Sequence, residues 1–154
     1  MKKIEIRSLA DYFGVRLPAS KIKNRDVRIS IVRLYSSLSK ADREIVGEIE
    51  EIKKNLIGDK AEEMQRFSGL LAKAENKELT EEERKAAKEE ADGMTECVRI
   101  NEDFQEAITK LFNEDSDAVV TKVPLEVLYE AISDCGDEFP LAEVERSFRN
   151  ILTE

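Results

Sequence analysis

The sequence predicts a mainly α-helical fold: a long antiparallel helical hairpin with short C-terminal helices and at most a small two-stranded β-ribbon. Glu, Lys, Ala, Leu and Arg are plentiful, whereas the 154 residues include only six Gly and three Pro, a composition typical of long helices. Apolar residues recur three and four positions apart along most of the chain. Residues 76–80 have the composition of a turn between two such stripes, so the flanking helices should pack antiparallel. At this length we expect a single domain over residues 1–154.

The first residues are expected to contain a short strand and a short helix. Residues 3–7 alternate apolar and polar side chains, which is typical of a half-buried strand. Ser8, with Asp11 three positions later, predicts a helix start, because both side chains can accept bonds from unpaired amides. Gly14 offers a stop for that helix, and residues 17–19 have the composition of a turn.

A long helical stretch begins at about Asn24. Three serines between positions 36 and 39 weaken its helix propensity, and residues 39–42 could restart a helix. The pattern therefore allows either one helix over residues 24–57 or two helices with a kink. Gly58 is the next helix-ending signal. The apolar stripe consists of Val27, Ile31, Leu34, Leu38, Ile45, Ile49, Ile52 and Leu56.

The clearest helix start lies just after the predicted turn. Thr80 and Glu83 have the spacing of a capping box, in which each side chain accepts a bond from the backbone amide of the other residue. The helix that follows should run from Glu81 to about Phe112, roughly 48 Å at 1.5 Å per residue. The apolar stripe of the preceding helix consists of Met64, Phe67, Leu71 and Ala74.

The C-terminal part is expected to hold a second strand and two short helices. Residues 118–123 are rich in β-branched side chains, which favours a strand, and this strand could pair with residues 3–7 in a small ribbon. A coincidence of short motifs explains the pattern equally well. Pro124 and Pro140 each stand where a first helical turn tolerates proline, and Gly136 closes the helix between them.

The missing residue types exclude several kinds of chemistry. The chain has no histidine, which excludes Ser-His-Asp and Cys-His catalysis, an imidazole metal site and a histidine pH switch. Cys97 and Cys135 are the only cysteines; they are too few for a zinc site, and we expect both to be reduced core thiols. No glycine pattern matches a phosphate-binding loop. We therefore predict a protein that is not an enzyme and has no cofactor and no metal ion.

The expected location is cytoplasmic, without membrane contact. No apolar run approaches the ~20 residues that span a bilayer. Charged residues interrupt the apolar residues at the N-terminus before the core of a signal peptide could form.

The most distinctive feature of the sequence is the segregation of basic and acidic residues along the chain. Residues 1–40 carry ten Lys or Arg and three Asp or Glu, a net charge of +7, whereas residues 41–154 carry fifteen and thirty-one, a net charge of −16. Two interpretations stay open: the basic part binds phosphate or an acidic protein surface, or it packs against the protein's own acidic helices. No aromatic residues interleave with the basic run, which argues against single-stranded nucleic acid. The candidate partner or phosphate contacts are Arg16, Lys21, Lys23, Arg25, Arg28 and Arg33.

The run from Leu17 to Leu38, in which basic residues lead into an amphipathic helix, resembles small uncharacterised helical proteins encoded by phages and prophages. The resemblance covers about the first third of the chain and transfers no functional residue. It implies a phage-associated, non-enzymatic role in partner binding. We therefore predict a protein–protein interaction or assembly module whose partner is another protein or a second copy of itself. The alternative is a nucleic-acid-binding regulator that uses the basic N-terminal segment.

Overall fold

The computed structural model describes all residues from 1 to 154 and is entirely α-helical, with seven α-helices, no strands and 76% of the residues in helices. The helices are α1 (Lys3–Asp11), α2 (Arg25–Ile57), α3 (Ala61–Glu75), α4 (Glu81–Gly93), α5 (Thr95–Asn113), α6 (Leu125–Asp134) and α7 (Leu141–Ser147). The predicted mainly α-helical class is confirmed, and the long α2 packs against α5 and α6. The chain divides into two compact units: unit 1 comprises Met1–Gly47 with Phe112–Glu154, and unit 2 comprises Glu48–Leu111.

The predicted strand over residues 3–7 is wrong, because this segment is the first part of α1. The helix begins earlier than expected, since the carboxylate of Glu5 accepts a hydrogen bond from the amide of Lys2 at 2.9 Å. Ile6 and Ala10, four positions apart, are both buried. Five alternating residues are too few to separate the strand period from the helix period, and burial of this face decided for the helix.

Ser8 and Gly14 also have other roles than predicted. Ser8 lies inside α1, where its hydroxyl donates to the carbonyl of Ile4 at 3.0 Å, so it is not an N-cap. Gly14 lies within a π-helical turn, Tyr12–Arg16, that continues α1. A Cβ atom at Gly14 would lie only 3.0 Å from the hydroxyl oxygen of Tyr35. The glycine therefore allows α2 to approach this turn closely.

The predicted ribbon does not form. Residues 118–123 contain no strand and do not pair with the N-terminal segment. Val123 instead forms an isolated bridge with Leu152, and Lys2 forms one with Asp115. Each segment thus meets a different neighbour, and β-branched side chains without a sheet to pack against do not by themselves stabilise a strand.

α2 is one continuous helix, which decides between the one-helix and two-helix alternatives that the sequence left open. Arg25–Ile57 form one helix of 33 residues, about 50 Å long at 1.5 Å per residue. The hydroxyl of Ser37 donates to the carbonyl of Leu34 at 2.8 Å and accepts a hydrogen bond from the amide of Thr121 at 2.9 Å. Because this serine is satisfied within the helix and against a neighbouring segment, it does not interrupt α2.

The helix after the predicted turn is interrupted where continuity was expected. α4 ends at Gly93 and α5 begins two residues later, so the helix predicted to reach Phe112 is two helices. Met94, between them, has φ −83° and ψ 68°, which lies outside the helical region. The predicted start is confirmed: both hydrogen bonds of the capping box between Thr80 and Glu83 are present, at 2.9 and 3.2 Å.

Each unit has its own apolar core, and α6 and α7 are the two short C-terminal helices that the prolines predicted. None of the seven helices combines the length and the apolar character that a bilayer crossing requires. The large side chains of unit 1 with less than 2% exposure are Ile6, Leu17, Ile22, Ile31, Leu34, Leu38, Ile45, Leu128, Ile132 and Ile151. The core of unit 2 is built on Phe67, Leu70, Ala87, Ala91 and Cys97.

Candidate partner-binding surface

The segment between α1 and α2, residues 12–24, carries three of the six predicted contact residues. It is hydrogen-bonded to the C-terminal end of α6. The amide of Lys23 donates to the carboxylate of Asp134 at 2.9 Å. The thiol of Cys135 donates to the carbonyl of Pro18 over a sulfur–oxygen distance of 3.7 Å. The C-terminal end of α6 therefore binds the backbone of residues 12–24. The side chain of Lys23 takes no part in this contact and is exposed.

Tyr12 adds a third contact at the same end of unit 1. Its hydroxyl lies 3.4 Å from the carboxylate of Asp137, to which it donates. Burial, followed by the charge of Asp137 and this hydrogen bond, raises the pKa of Tyr12 to about 12. The ring packs against Phe13 and Phe148, each with a centroid distance of 5.2 Å. The phenol therefore remains a protonated donor at neutral pH.

Arg28 is used within the chain and is not free for a partner. Its Nε and one terminal nitrogen donate to the carbonyl of Ile22 at 3.0 and 2.8 Å, and the same terminal nitrogen lies 3.4 Å from the carbonyl of Lys23. A guanidinium that binds two backbone carbonyls fixes the approach of the segment to the first turn of α2. Arg28 is therefore a structural residue, a role that its position in a basic run did not reveal.

The other five predicted residues are exposed, as Arg28 is, and they lie on different elements. Arg16 ends the π-helical turn and Lys21 ends a short 3₁₀ turn, whereas Lys23 precedes α2. Arg25 and Arg33 lie on α2, eight residues apart, which is about 12 Å along the helix axis. The structure therefore distributes the predicted residues over several elements and does not gather them around a single pocket.

A surface on α2 brings two of these residues together with others that sequence reasoning missed. We call it the outer face of α2; its members recur three and four positions apart on the side opposite the buried stripe. Three of them are β-branched side chains with large exposed fractions: 37% for Ile29, 48% for Val32 and 37% for Val46. The outer face of α2 consists of Arg25, Ile29, Val32, Arg33, Ser36, Lys40, Arg43 and Val46, all of them exposed.

Lys40 and Arg43 are the functional candidates missed by sequence reasoning. They lie beyond the crowded basic run, and only the continued helical spacing from Arg25 and Arg33 places them on the same face. That spacing could have been extended from the sequence, but the kink considered near position 39 would have broken the face. One continuous α2 therefore makes a surface that two helices would not.

The outer face of α2 carries more positive than negative charge, because Asp42 lies away from it and Asp26 and Glu44 only border it. Asp42 is only partly exposed and forms an ion pair with Arg7 at 3.2 Å. Asp26 and Glu44 lie at the same edge of the face, eighteen residues apart. The face therefore combines four cationic side chains with three exposed aliphatic ones, which suits an acidic partner surface that also carries apolar groups.

The two cysteines are unpaired; Cys97 is buried and Cys135 is partly buried. Burial is the largest cause that raises the pKa of both thiols. A raised pKa keeps a cysteine in its weakly nucleophilic thiol form. No three acidic or thiol side chains lie close enough to share a metal ion.

The chain was compared with protein-family models, curated proteins and solved structures. None of these comparisons found a match.

Proposed function

We propose that this protein is a non-enzymatic protein–protein interaction or assembly module, and that the outer face of α2 is its main contact surface. The observation that carries the proposal is the exposure of Ile29, Val32 and Val46 on one helix among four basic side chains. A long helix that exposes aliphatic groups offers apolar area to a partner. We expect the partner to be an acidic, amphipathic helical surface.

The charges and the apolar groups have separate roles in this proposal. Arg25, Arg33, Lys40 and Arg43 attract an acidic surface and set its orientation, which mainly raises the association rate. Burial of Ile29 and Val32 stabilises the bound state and slows dissociation. The positions of these two residues, three apart on a helix, match the spacing by which one helix packs against another.

The proposal includes the antiparallel hairpin expected from the sequence. Its support lies in unit 2, where Arg66 near the start of α3 forms an ion pair with Glu90 near the end of α4. The apolar residues Phe67 and Ala91, at the same ends of the two helices, belong to one buried cluster. A rigid hairpin of this kind suits an assembly role, in keeping with the implied phage association.

The alternative function is nucleic-acid binding through the same basic residues. Its support is the exposure of Arg16, Lys21, Lys23, Arg25 and Arg33, whose charges could meet phosphates. The exposed Ile29, Val32 and Val46 favour a protein partner, because phosphate contacts require no exposed aliphatic side chains. The net charge of −9 also opposes the approach of a polyanion.

The test is cross-linking in a lysate of the native host with the wild-type protein and two matched variants. Val32→Asp places a carboxylate on the outer face of α2, whereas Val119→Asp does so at a position that is 91% exposed and lies outside that face. We expect one acidic protein to be captured by the wild type and by Val119→Asp, and to be lost with Val32→Asp. Equal capture by both variants would contradict the proposal.

A gel-shift titration with duplex DNA and RNA distinguishes nucleic-acid binding from protein binding. We expect no shift at physiological salt. Binding to phosphates weakens steeply with salt, because each neutralised phosphate releases counterions. A tight shift that shows this salt dependence and disappears in the double variant Arg25→Glu and Arg33→Glu would contradict the proposal and support nucleic-acid binding.

A further inference from the structure

Residues 118–122 belong to the run whose sequence favours a strand, but in the fold they have no strand partner. Two isolated bridges flank this segment: Asp115 pairs with Lys2, and Val123 pairs with Leu152. Between the bridges the segment contains no helical or turn residue. Both ends of the segment are therefore tied to other parts of unit 1, and the backbone between them is not part of a sheet.

One side of this backbone is bonded to the rest of unit 1. The amide of Thr121 donates to the hydroxyl of Ser37 at 2.9 Å. The amide of Val123 donates to the carbonyl of Ile151, also at 2.9 Å. Because the amides of successive residues in an extended chain point to opposite sides, the even-numbered residues of the segment direct their amides away from the protein.

Val120 and Lys122 lie on that outward side. Neither their amides nor their carbonyls take part in a hydrogen bond within the chain. Their spacing of two residues is the spacing of successive pairing positions on the edge of a strand. The neighbouring Val119 is 91% exposed, more than any other large apolar side chain. An edge with unpaired donors and acceptors is a template for another extended chain.

An open groove of about 610 Å³ borders the same segment. The alternate residues Ala118, Val120 and Lys122 line it, as expected for one face of an extended chain. Leu125, which is only partly buried, adds apolar surface. The groove therefore offers space for side chains of a second chain that lies along the unpaired edge.

We propose that residues 118–122 bind an extended peptide of another protein as an added β-strand. The peptide pairs with the backbone of Val120 and Lys122, and its apolar side chains enter the groove. In this mode of recognition the backbone hydrogen bonds give the affinity, and the groove selects the side chains.

The charges of the groove do not favour an acidic or a basic peptide. Its lining carries two basic and two acidic side chains, so attraction and repulsion largely cancel. Added salt should therefore change peptide binding little, in contrast to binding on the outer face of α2. The four charged residues are Lys122, Arg149, Glu145 and Glu154.

Hydrogen exchange followed by NMR tests the pairing directly. The probe is a hexapeptide of alternating valine and threonine, added to the whole chain. We expect the amides of Val120 and Lys122 to exchange at least about tenfold more slowly with the peptide bound, because a hydrogen-bonded amide exchanges only when the pair opens. The amide of Val119 should change little. The same peptide N-methylated at every residue has no amide donor and should protect neither residue.

Val120→Pro and Val119→Pro are matched variants of the segment. Each removes one amide hydrogen, and neither amide is hydrogen-bonded within the chain. Only the amide of Val120 points outward, so Val120→Pro should weaken peptide binding about tenfold, whereas Val119→Pro should not. Equal binding by the two variants, or no protection of the wild type, would overturn the proposal. If Val120→Pro does not fold, the N-methylated peptide carries the test.

Self-pairing of the segment is the other outcome of the exchange experiment. Protection of Val120 and Lys122 that rises with protein concentration in the absence of peptide would assign the edge to a second copy and reject the proposal. The function proposed for α2 is tested separately. Val32→Asp should leave peptide binding unchanged, and Val120→Pro should leave capture through the outer face of α2 unchanged.

Discussion

Arg28 shows how a basic residue in a basic run can be structural. Its guanidinium donates three contacts to the carbonyls of Ile22 and Lys23, and the segment before α2 depends on them. Arg33, five positions later, is exposed and has no such contact. The two arginines are alike in sequence context and differ only in what lies within reach of their side chains.

Replacement of Arg28 by Ala should therefore lower the free energy of unfolding by about 1–2 kcal/mol, because charge-assisted bonds to two carbonyls are lost. Arg33→Ala is the matched control and should change the stability by less than about 0.5 kcal/mol. Chemical denaturation of both variants measures this. Equal stability of the two variants would show that the Arg28 contacts contribute nothing in solution.

Tyr12 should make the free energy of unfolding depend on pH in the alkaline range. Its pKa rises from the ordinary 10.0 to about 12 in the fold, so the folded state holds the proton more tightly than the unfolded state does. The contribution is fully present below pH 10 and is lost as the pH rises from 10 to 12. We expect the free energy of unfolding to fall over this range in the wild type and to fall less in Tyr12→Phe.

Denaturation curves at several pH values across that window check the Tyr12 prediction. Tyr129→Phe, which removes a phenol with a 39% exposed side chain, is the control and should follow the wild type. A Tyr12→Phe variant with the same alkaline loss as the wild type would assign that loss to other groups.

At the scale of elements, the start of α4 is the clearest case in which sequence and structure agree. Thr80 and Glu83 start α4 through a capping box, and the glutamates of its first turn complement the helix dipole. Ala87 and Ala91 are buried against α3. Alanines at these positions let the two helices lie close together.

Ala91→Asp should place an unpaired carboxylate at a position with 0% exposure. We expect this to lower the free energy of unfolding by at least about 3 kcal/mol or to prevent folding of unit 2. Ala86→Asp, on the exposed side of the same helix, is the control and should cost much less. Thermal unfolding followed by circular dichroism measures both, and similar melting temperatures would contradict the assigned buried face of α4.

At the scale of the whole molecule, some basic residues of the N-terminal region contact the rest of the chain and others are exposed. Part of the basic N-terminal region is bound to the acidic end of α6, but the contacts are backbone amide to Asp134 and carbonyl to Cys135 rather than ion pairs between side chains. Lys3 and Arg7 form ion pairs with Glu114 and Asp42, whereas Arg25, Arg33 and Lys40 on α2 are exposed. Contacts with the protein's own residues thus account for part of the basic region, and partner binding by the exposed part stays a prediction.

Local signals predicted the elements whose ends and faces depend on neighbouring residues only. The capping box at Thr80, the helix between Pro124 and Gly136, and the buried stripe of α2 belong to this group. Each depends on hydrogen bonds or apolar spacing within a few residues, so the amino-acid order contains the information. The all-helical class follows from the same local regularity.

The tertiary structure alone decided the features that join distant residues. Residues 3–7 form a helix because Ile6 and Ala10 are buried in the core of unit 1, and Gly14 leaves room for the hydroxyl of Tyr35, twenty-one positions away. Arg28 is structural because the fold brings the carbonyl of Ile22 to its side chain, and the outer face of α2 is exposed because no other element of unit 1 covers it. Burial and long-range hydrogen bonds depend on which segments meet in space, and that information is spread over the whole chain.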